Sequence, residues 1–516
     1  MSASASYPRE IELKFELDPG SADPVGKLLT LWSRERKGQT EELVSVYYDT
    51  ENQDLRGEGF SLRIRKEGGR WLQTAKSGQA SSMVRGEWDV EAPDGELHVA
   101  AFHGTPIEKL LGRLDAKDGL KPQFAVKVRR TRRHIRSKDQ DVEASLDSGV
   151  VEANGRSAQL CELELELKQG EPKGLFKLAR TIAENEPLML SFVSKAERGY
   201  ALLDEAEALG VHARKGMVRR GMTTCEAFQA IGRECLLQLS GNEAVLRRIR
   251  SPDAVHQARV ALRRFRAALS LFKRAVADAQ VERLKAELKW LAGVLGGARN
   301  LDVFADVAFR PLAGRGRHIP GMEALGAELL ARQDAAYATA AEAFGSERYR
   351  SLLLDAAEWL EVGDWLGPKA KAGAELDKPV EEFAAKALKR RLRKMRKDGR
   401  DISALDAEGR HEVRIDGKKL RYALDFFQAL PKGKAKRRHA AVLKALKPLQ
   451  QVLGDLNDIV TGAELAAALA RDAKAPTPDL GFAAGLVAGR RHEDEARLCK
   501  RLERAWTKFE KADLVW

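Results

Sequence analysis

Two short stretches carry most of the reactive side chains. Residues 10–14 read Glu-Ile-Glu-Leu-Lys, and 162–168 read Glu-Leu-Glu-Leu-Glu-Leu-Lys. In an extended strand alternate side chains share a face, so Glu10, Glu12 and Lys14 fall on one side while Ile11, Leu13 and Phe15 fall on the other. Glu162, Glu164, Glu166 and Lys168 separate in the same way from Leu163, Leu165 and Leu167. Arg63 and Arg65 flank Ile64, Lys76 shares a face with Thr74, and Arg85, Glu87 and Asp89 line another strand. Guanidinium and ammonium groups in rows neutralise phosphates, with Arg preferred where two oxygens are gripped at once. Carboxylates beside them would repel phosphate unless a hard divalent cation stood between, and Mg²⁺ typically takes one or two carboxylates plus phosphate oxygens. The mixture points to a metal–polyphosphate site. One such strand alone is more simply a solvated sheet face; five in one region are not.

The elements that must position these groups are strands. After the first come 45–50, 60–66, 70–76, 85–91, 124–133, 141–147 and 161–168, separated by Gly, Pro and acid-rich turns. Eight strands in so short a span predict an antiparallel β-barrel tunnel, its apolar faces outward and its lumen lined by acids and bases together. Helical spacing predicts flanking helices at 24–35, near 106–114 and at 174–185. Within 127–133 the face is open, because Lys127, Arg129, Arg130, Arg132 and Arg133 are all cationic and a bulge would exchange them.

The 516 residues, 44% hydrophobic, suffice for several cores. The formal charge of +13 is uneven: residues 1–210 hold 31 Lys+Arg against 36 Asp+Glu, leaving 58 against 40 for residues 211–516. A half with net charge +18 suits a polyanion. The four cysteines form no CxxC pair, no segment resembles a signal peptide and no apolar run is long enough to span a bilayer, so a cytoplasmic protein without a membrane partner is expected.

EIELK at 10–14, SLRIRK at 61–66, the Lys76 strand, Asp147 in EASLDSG and CELELELK at 161–168 resemble the CYTH domain, the triphosphate tunnel metalloenzyme fold. SKAERGYAL at 194–202 is similar to that domain's closing helix in bacterial inorganic triphosphatases. The resemblance covers 5–205 and implies hydrolysis of inorganic triphosphate with Mg²⁺ or Mn²⁺. It implies metal ligands at Glu10, Glu12, Glu164 and Glu166 with Glu162 and Asp147 near them, and phosphate contacts from Lys14, Arg63, Arg65, Lys76, Arg130 and Lys195. Glu10, Glu12, Lys14, Glu164 and Glu166 would then be the catalytic set. The same tunnel would hold the triphosphate of an adenylate cyclase or thiamine triphosphatase substrate, and a barrel that only senses phosphate chains, a non-catalytic scaffold, is the reading from another class.

The second half is helical and repeats itself. VHQARVALRRFRAALSLF at 255–272 aligns with RHEVRIDGKKLRYALDFF at 410–427, and 288–303 aligns with 446–460 so that Asp302 meets Asp458. This predicts two helical bundles, about 220–362 and 380–510, giving an α+β chain of two domains. On a helical wheel His256, Arg259, Arg263 and Arg266 share one sector, opposite Ala258, Leu262, Phe265 and Leu269. His411, Arg414, Lys418 and Arg421 repeat the basic sector. A single basic face is ordinarily a solvated one; the same face twice, each headed by His, predicts a shared ligand surface. These motifs resemble the CHAD domain, which implies inorganic polyphosphate as partner over 220–510 and an association with polyphosphate granules. No base-reading motif is evident, which argues against nucleic acid. If their rings face the ligand, His256 and His411 would strengthen binding as pH falls through about 6.5.

Overall fold

The computed structural model describes residues 9–33, 38–77, 84–117, 119–204, 210–314, 319–367, 373–492 and 495–513. The chain forms two compact units: Met1–Leu209 with Glu347–Val362, and Gly210–Ser346 with Gly363–Trp516.

The first unit is built on one antiparallel sheet: β1 (Arg9–Glu16), β2 (Gln39–Asp49), β3 (Phe60–Glu67), β4 (Arg70–Ser77), β5 (Val84–Glu91), β6 (Lys121–Arg136), β7 (Asp141–Ala153), β8 (Arg156–Gln169) and β9 (Met189–Leu190). The order is β5-β4-β3-β2-β6-β7-β8-β1, and β1 also pairs with β5, which closes the ring. Among the described residues the strands number nine rather than the expected eight, because Met189–Leu190 pairs with Phe15 and Glu16 on the edge of β1. Two residues are too few to show alternation in sequence.

Register puts the charged residues on the inner face. Glu12 lies opposite Glu166, Lys14 opposite Glu164, and Asp147 lies between Glu162 and Arg130. Outward-facing Leu62 and Ala75 join Phe102, Ile107 and Leu111 in a buried outer layer that includes the helix Glu108–Lys117. One end of the lumen is apolar: Leu43, Tyr47, Phe124, Val126, Val128 and Leu160 pack against Ala196, Tyr200 and Leu202 of the helix Lys195–Leu203. That helix starts with a capping box between Ser194 and Glu197. Gly199 is needed where the helix meets the barrel wall, since a Cβ there would stand 2.1 Å from the Phe124 ring. Tyr200 Oη donates to Asp49 Oδ2 at 2.6 Å at this closed end.

The helix Glu347–Val362 falls in sequence within the expected first helical bundle, yet it groups with the strands. It packs on the helix Pro172–Ala183, where Arg180 Nη2 lies 2.7 Å from Asp355 Oδ1 and also pairs with Glu358. Leu352, Leu353, Trp359 and Leu360 are buried.

In the second unit the two repeat helices are Pro252–Leu271 and Ala407–Phe426. Each is capped at its N-terminus by a side-chain acceptor, Ser251 to Ala254 N and Asp406 to Gly409 N. The apolar stripes read from sequence are buried in both: Ala258, Leu262, Phe265 and Leu269 in one, Val413, Leu420 and Leu424 in the other. The aligned residues Phe272 and Phe427 meet with ring centroids 6.3 Å apart, and Phe272 stacks on Phe383 at 4.3 Å. The repeat in sequence thus becomes two helices meeting through equivalent residues. No described helix is long and apolar enough to cross a membrane.

Candidate functional site

In the barrel lumen, strands β1, β8 and β7 form a carboxylate wall. At its deep end Lys195 Nζ, carried on the closing helix, lies 2.8 Å from each of Asp147 Oδ2, Glu162 Oε2 and Glu164 Oε1. Lys14 Nζ reaches the same Glu164 oxygen at 3.1 Å. Arg130 grips Asp147 with two donors at 2.7 and 2.6 Å and Glu164 at 2.7 Å, and Arg198 Nε donates to Glu162 at 3.0 Å. Asp147 and Glu162 are wholly buried. Burial alone would raise these three carboxyls; the Lys195 ammonium, helped by Lys14 and Arg130, instead holds all three below the usual range. Their oxygens lie within 4.8 Å of one another, close enough to hold a metal. The Lys195 ammonium fills that position, so this trio does not fit a divalent cation while the lysine stays in place.

The next row along the same wall has the opposite balance. Glu12, Glu166 and Glu143 are register neighbours on β1, β8 and β7. Burial raises the Glu166 carboxyl; Lys168, 2.6 Å away, opposes this, and the charges of Glu143 and Glu12 push it up again. Among the described residues Glu143 has only longer contacts, to His134 at 3.7 Å and to Arg132 at 4.0 Å, so carboxylate predominates over close cations here, which suits a hard cation. Glu10 lies two residues before Glu12 on β1, and its side chain lies outside the described residues. Glu143 was not singled out from sequence, although it shares its face with Asp147 four residues on.

The facing wall is cationic. Arg63 and Arg65 on β3 point inward, each with a buried Nε that has no hydrogen-bond partner among the described residues. Burial and the adjacent Arg63 charge pull Arg65 down to about 10. Arg65 pairs with Glu67, Lys76 Nζ lies 2.8 Å from Glu87, and Arg63 lies 3.7 Å from the same carboxylate. Of the five cations in 127–133, Arg130 and Arg132 face the lumen. Arg132 bridges Glu41 at 2.8 Å and Glu67, whereas Lys127 pairs with Glu152 in solvent. Alternation on β6 settles what composition left open.

In the helical unit a pocket of about 1400 Å³ gathers both basic ridges. His256, Arg259, Arg263 and Arg266 line it from one helix, and His411, Arg414 and Lys418 from the other. Arg421 does not line it; its guanidinium reaches Gln450 at 3.3 Å and Asp425 at 3.7 Å. The helix Gln280–Phe304 adds Lys285, Lys289 and Arg299, which sequence reading did not single out although Lys289 and Arg299 lie within the repeated stretch 288–303. The aligned aspartates part company: Asp458 lines the pocket, while Asp302 is buried under Gln333 at 2.9 Å and Tyr337 at 2.8 Å. Burial, then Arg414 and Arg263, push Lys418 down to about 7. Burial, Arg299 and Arg263 push His256 down to about 4, so its ring is neutral near pH 6.5, contrary to the expected titration. So many like charges held together are relieved by a polyanion.

The CYTH domain family matches residues 8–200 and the CHAD domain family residues 230–467. The chain carries a CYTH domain followed by a CHAD domain. An inorganic triphosphatase of Haemophilus influenzae is 28% identical over 199 residues, covering 38% of this chain and 55% of that protein. The chain thus spans about half the length of this curated relative. Among solved structures, the CHAD domain from the plant Ricinus communis is 27% identical, with a TM-score of 0.51 over 59% of this chain and 97% of that one. PptA from Streptomyces chartreusis matches more loosely, at 19% identity and a TM-score of 0.40 over 55% of this chain and 99% of that one.

Proposed function

We propose that the CYTH domain hydrolyses inorganic triphosphate with Mg²⁺ or Mn²⁺ and that the CHAD domain holds inorganic polyphosphate. The observation that carries the first part is the polarity of the lumen, with carboxylate predominating at Glu12, Glu143 and Glu166 on one wall and orphaned guanidinium N–H donors of Arg63 and Arg65 on the other. Glu12, Glu166 and Glu143, with Glu10, would hold the cation. When bound, it supplies positive charge to the phosphoryl oxygens and makes a neighbouring water more acidic.

The remaining work falls to the chain. Arg63, Arg65, Lys76 and Arg132 bind and orient the phosphate chain. In hydrolysis the water oxygen forms a new P–O bond as the bridging P–O bond breaks, giving diphosphate and orthophosphate. The cationic wall holds the phosphate oxygens alike in the ground state and the transition state, so it lowers KM rather than raising kcat. Lys195 acts as a positioning residue, since its ammonium fixes Asp147, Glu162 and Glu164. The apolar end formed by Phe124, Tyr47 and Tyr200 closes the lumen behind the charges, which suits a short linear polyanion.

A panel of tripolyphosphate, ATP, thiamine triphosphate and long polyphosphate, each with Mg²⁺ or Mn²⁺ varied, tests the reading. Fastest turnover on tripolyphosphate supports it. Faster turnover on ATP or thiamine triphosphate, or none on any substrate, overturns it.

A further inference from the structure

The CHAD pocket has two unlike ends. The helices Pro252–Leu271 and Gln280–Phe304 run antiparallel, since Arg259 Nη1 donates to Ala292 O at 2.8 Å and His256 feels the Arg299 charge. Arg266, Lys285 and Lys289 therefore stand at one end, and His256 and Arg299 towards the other. Beyond the histidines the lining changes character. Val303, Phe304, Val307 and Ala308 face Leu465 and Ala468 of the helix Gly433–Arg471. The two helices approach closely there, a Cβ on Gly462 falling 3.9 Å from the Phe304 ring. Phe304 and Ala308 also belong to a buried core, so the apolar shelf is rigid, while Val307 is 43% exposed. The segment Ala305–Phe309 winds as a π-helix, a rare turn that recurs at functional sites.

The polar groups around the shelf are not those of a phosphate site. Asn300, Asn457 and Thr461 rim it, and His411 Nδ1 pairs with Asn457 Oδ1 at 2.8 Å. Asp458 and Glu464 stand at this end too. At the cationic end Glu282 is paired with Lys285 at 2.7 Å. Carboxylates repel phosphate but accept N–H donors, and amide side chains do both. A flat apolar face with donors and acceptors on its edge fits a nucleobase, whose ring edge can exchange hydrogen bonds with the Asn300 amide and the Thr461 hydroxyl.

We propose that the CHAD pocket binds nucleoside polyphosphates, with the base on the Val303–Val307–Leu465 shelf and the phosphate chain running past Arg263 and Lys418 towards Arg266. This rests on the reading of the same pocket as a polyphosphate site and adds an end group and a direction to it. At about 1400 Å³ the pocket exceeds the range of roughly 300–1,000 Å³ that suffices for drug-sized ligands.

The test uses the intact chain in EDTA, with adenosine 5′-tetraphosphate and inorganic tetraphosphate compared by calorimetry. An 8-azidoadenosine tetraphosphate is photocrosslinked and mapped in parallel. The expected result is at least roughly fivefold tighter binding of the nucleotide, with label on 299–310 or 457–470 that long polyphosphate displaces. Val307→Asn and Thr461→Ala, both neutral changes at exposed positions, should remove the nucleotide's advantage and leave inorganic polyphosphate binding intact. Equal affinities with polyphosphate still bound, or label confined to other segments, overturns the nucleotide proposal alone. No binding of inorganic polyphosphate at low salt overturns the polyphosphate reading and this proposal with it.

Discussion

Lys195 Nζ and Glu164 Oε1 lie 2.8 Å apart, and Lys14 reaches that same oxygen from the other side at 3.1 Å. One carboxylate is thus held between a strand lysine and a lysine from a helix more than thirty residues later in the chain. A buried group so shared is expensive to disturb from either side.

Lys195→Met should unmask the acidic trio. Removing the ammonium leaves Asp147 and Glu162, both wholly buried, short of a partner, a loss of about 3–5 kcal/mol. Added Mn²⁺ should then raise the melting temperature of the variant far more than that of the parent, because three carboxylates within 4.8 Å are left to coordinate it. An equal response of the two proteins would refute a latent metal site.

Glu12→Gln and Glu166→Gln should lower kcat on tripolyphosphate by about 10- to 100-fold or more with little change in melting temperature. Glu162→Gln should lower the melting temperature as well, because Lys195 and Arg198 lose a shared partner. Parent-like turnover of both first-named variants at saturating Mg²⁺ would move the cation elsewhere.

Arg63→Ala and Arg65→Ala should act mainly on KM, each removing a charge-assisted phosphate contact of about 1.5–3 kcal/mol. A defect lying wholly in kcat would instead place these guanidiniums in the bond-breaking step.

Polyphosphate affinity of the CHAD pocket should depend on pH through Lys418. Burial, Arg414 and Arg263 hold its ammonium at about 7, and a bound polyanion raises that value, so binding takes up a proton. Affinity should be level below pH 7 and fall as pH rises above it, by at most about tenfold per unit. Lys418→Arg should keep the affinity and flatten the profile between pH 7 and 9. A slope centred near 4 would implicate His256, held there by burial, Arg299 and Arg263.

Strand alternation made the inner face of the barrel legible, since Glu12, Lys14, Arg63, Arg65 and the Glu162–Glu166 row all point inward as their spacing requires. Which carboxylates are already neutralised was not legible. Glu164 and Glu166 are indistinguishable in a Glu-Leu-Glu-Leu-Glu run, and only the arrival of Lys195 on the closing helix separates them. Glu143 was not singled out although it shares its face with Asp147, and Arg132 stayed among five cations whose inward members only the register reveals. In the helical unit the repeat placed seven basic groups on one pocket; it misplaced Arg421, whose position on the wheel turns it towards Asp425 instead. The shelf was not legible although Val303 closes the repeated stretch 288–303, because Leu465 lies beyond its counterpart 446–460 and the two line one pocket only where their helices approach.

The helix Glu347–Val362 has a consequence for how the chain comes into being. Emerging from the ribosome, the barrel strands are complete by Leu190, yet the helix that packs on Pro172–Ala183 is translated only after a further stretch of some 140 residues has followed Leu209. Until then Arg180, destined to pair with Asp355 and Glu358, must wait, although domains ordinarily fold in the order in which they are made. A gene cut at residue 210 would therefore part the barrel from the helix that packs on Pro172–Ala183, although that helix lies inside the stretch matched by the CHAD family.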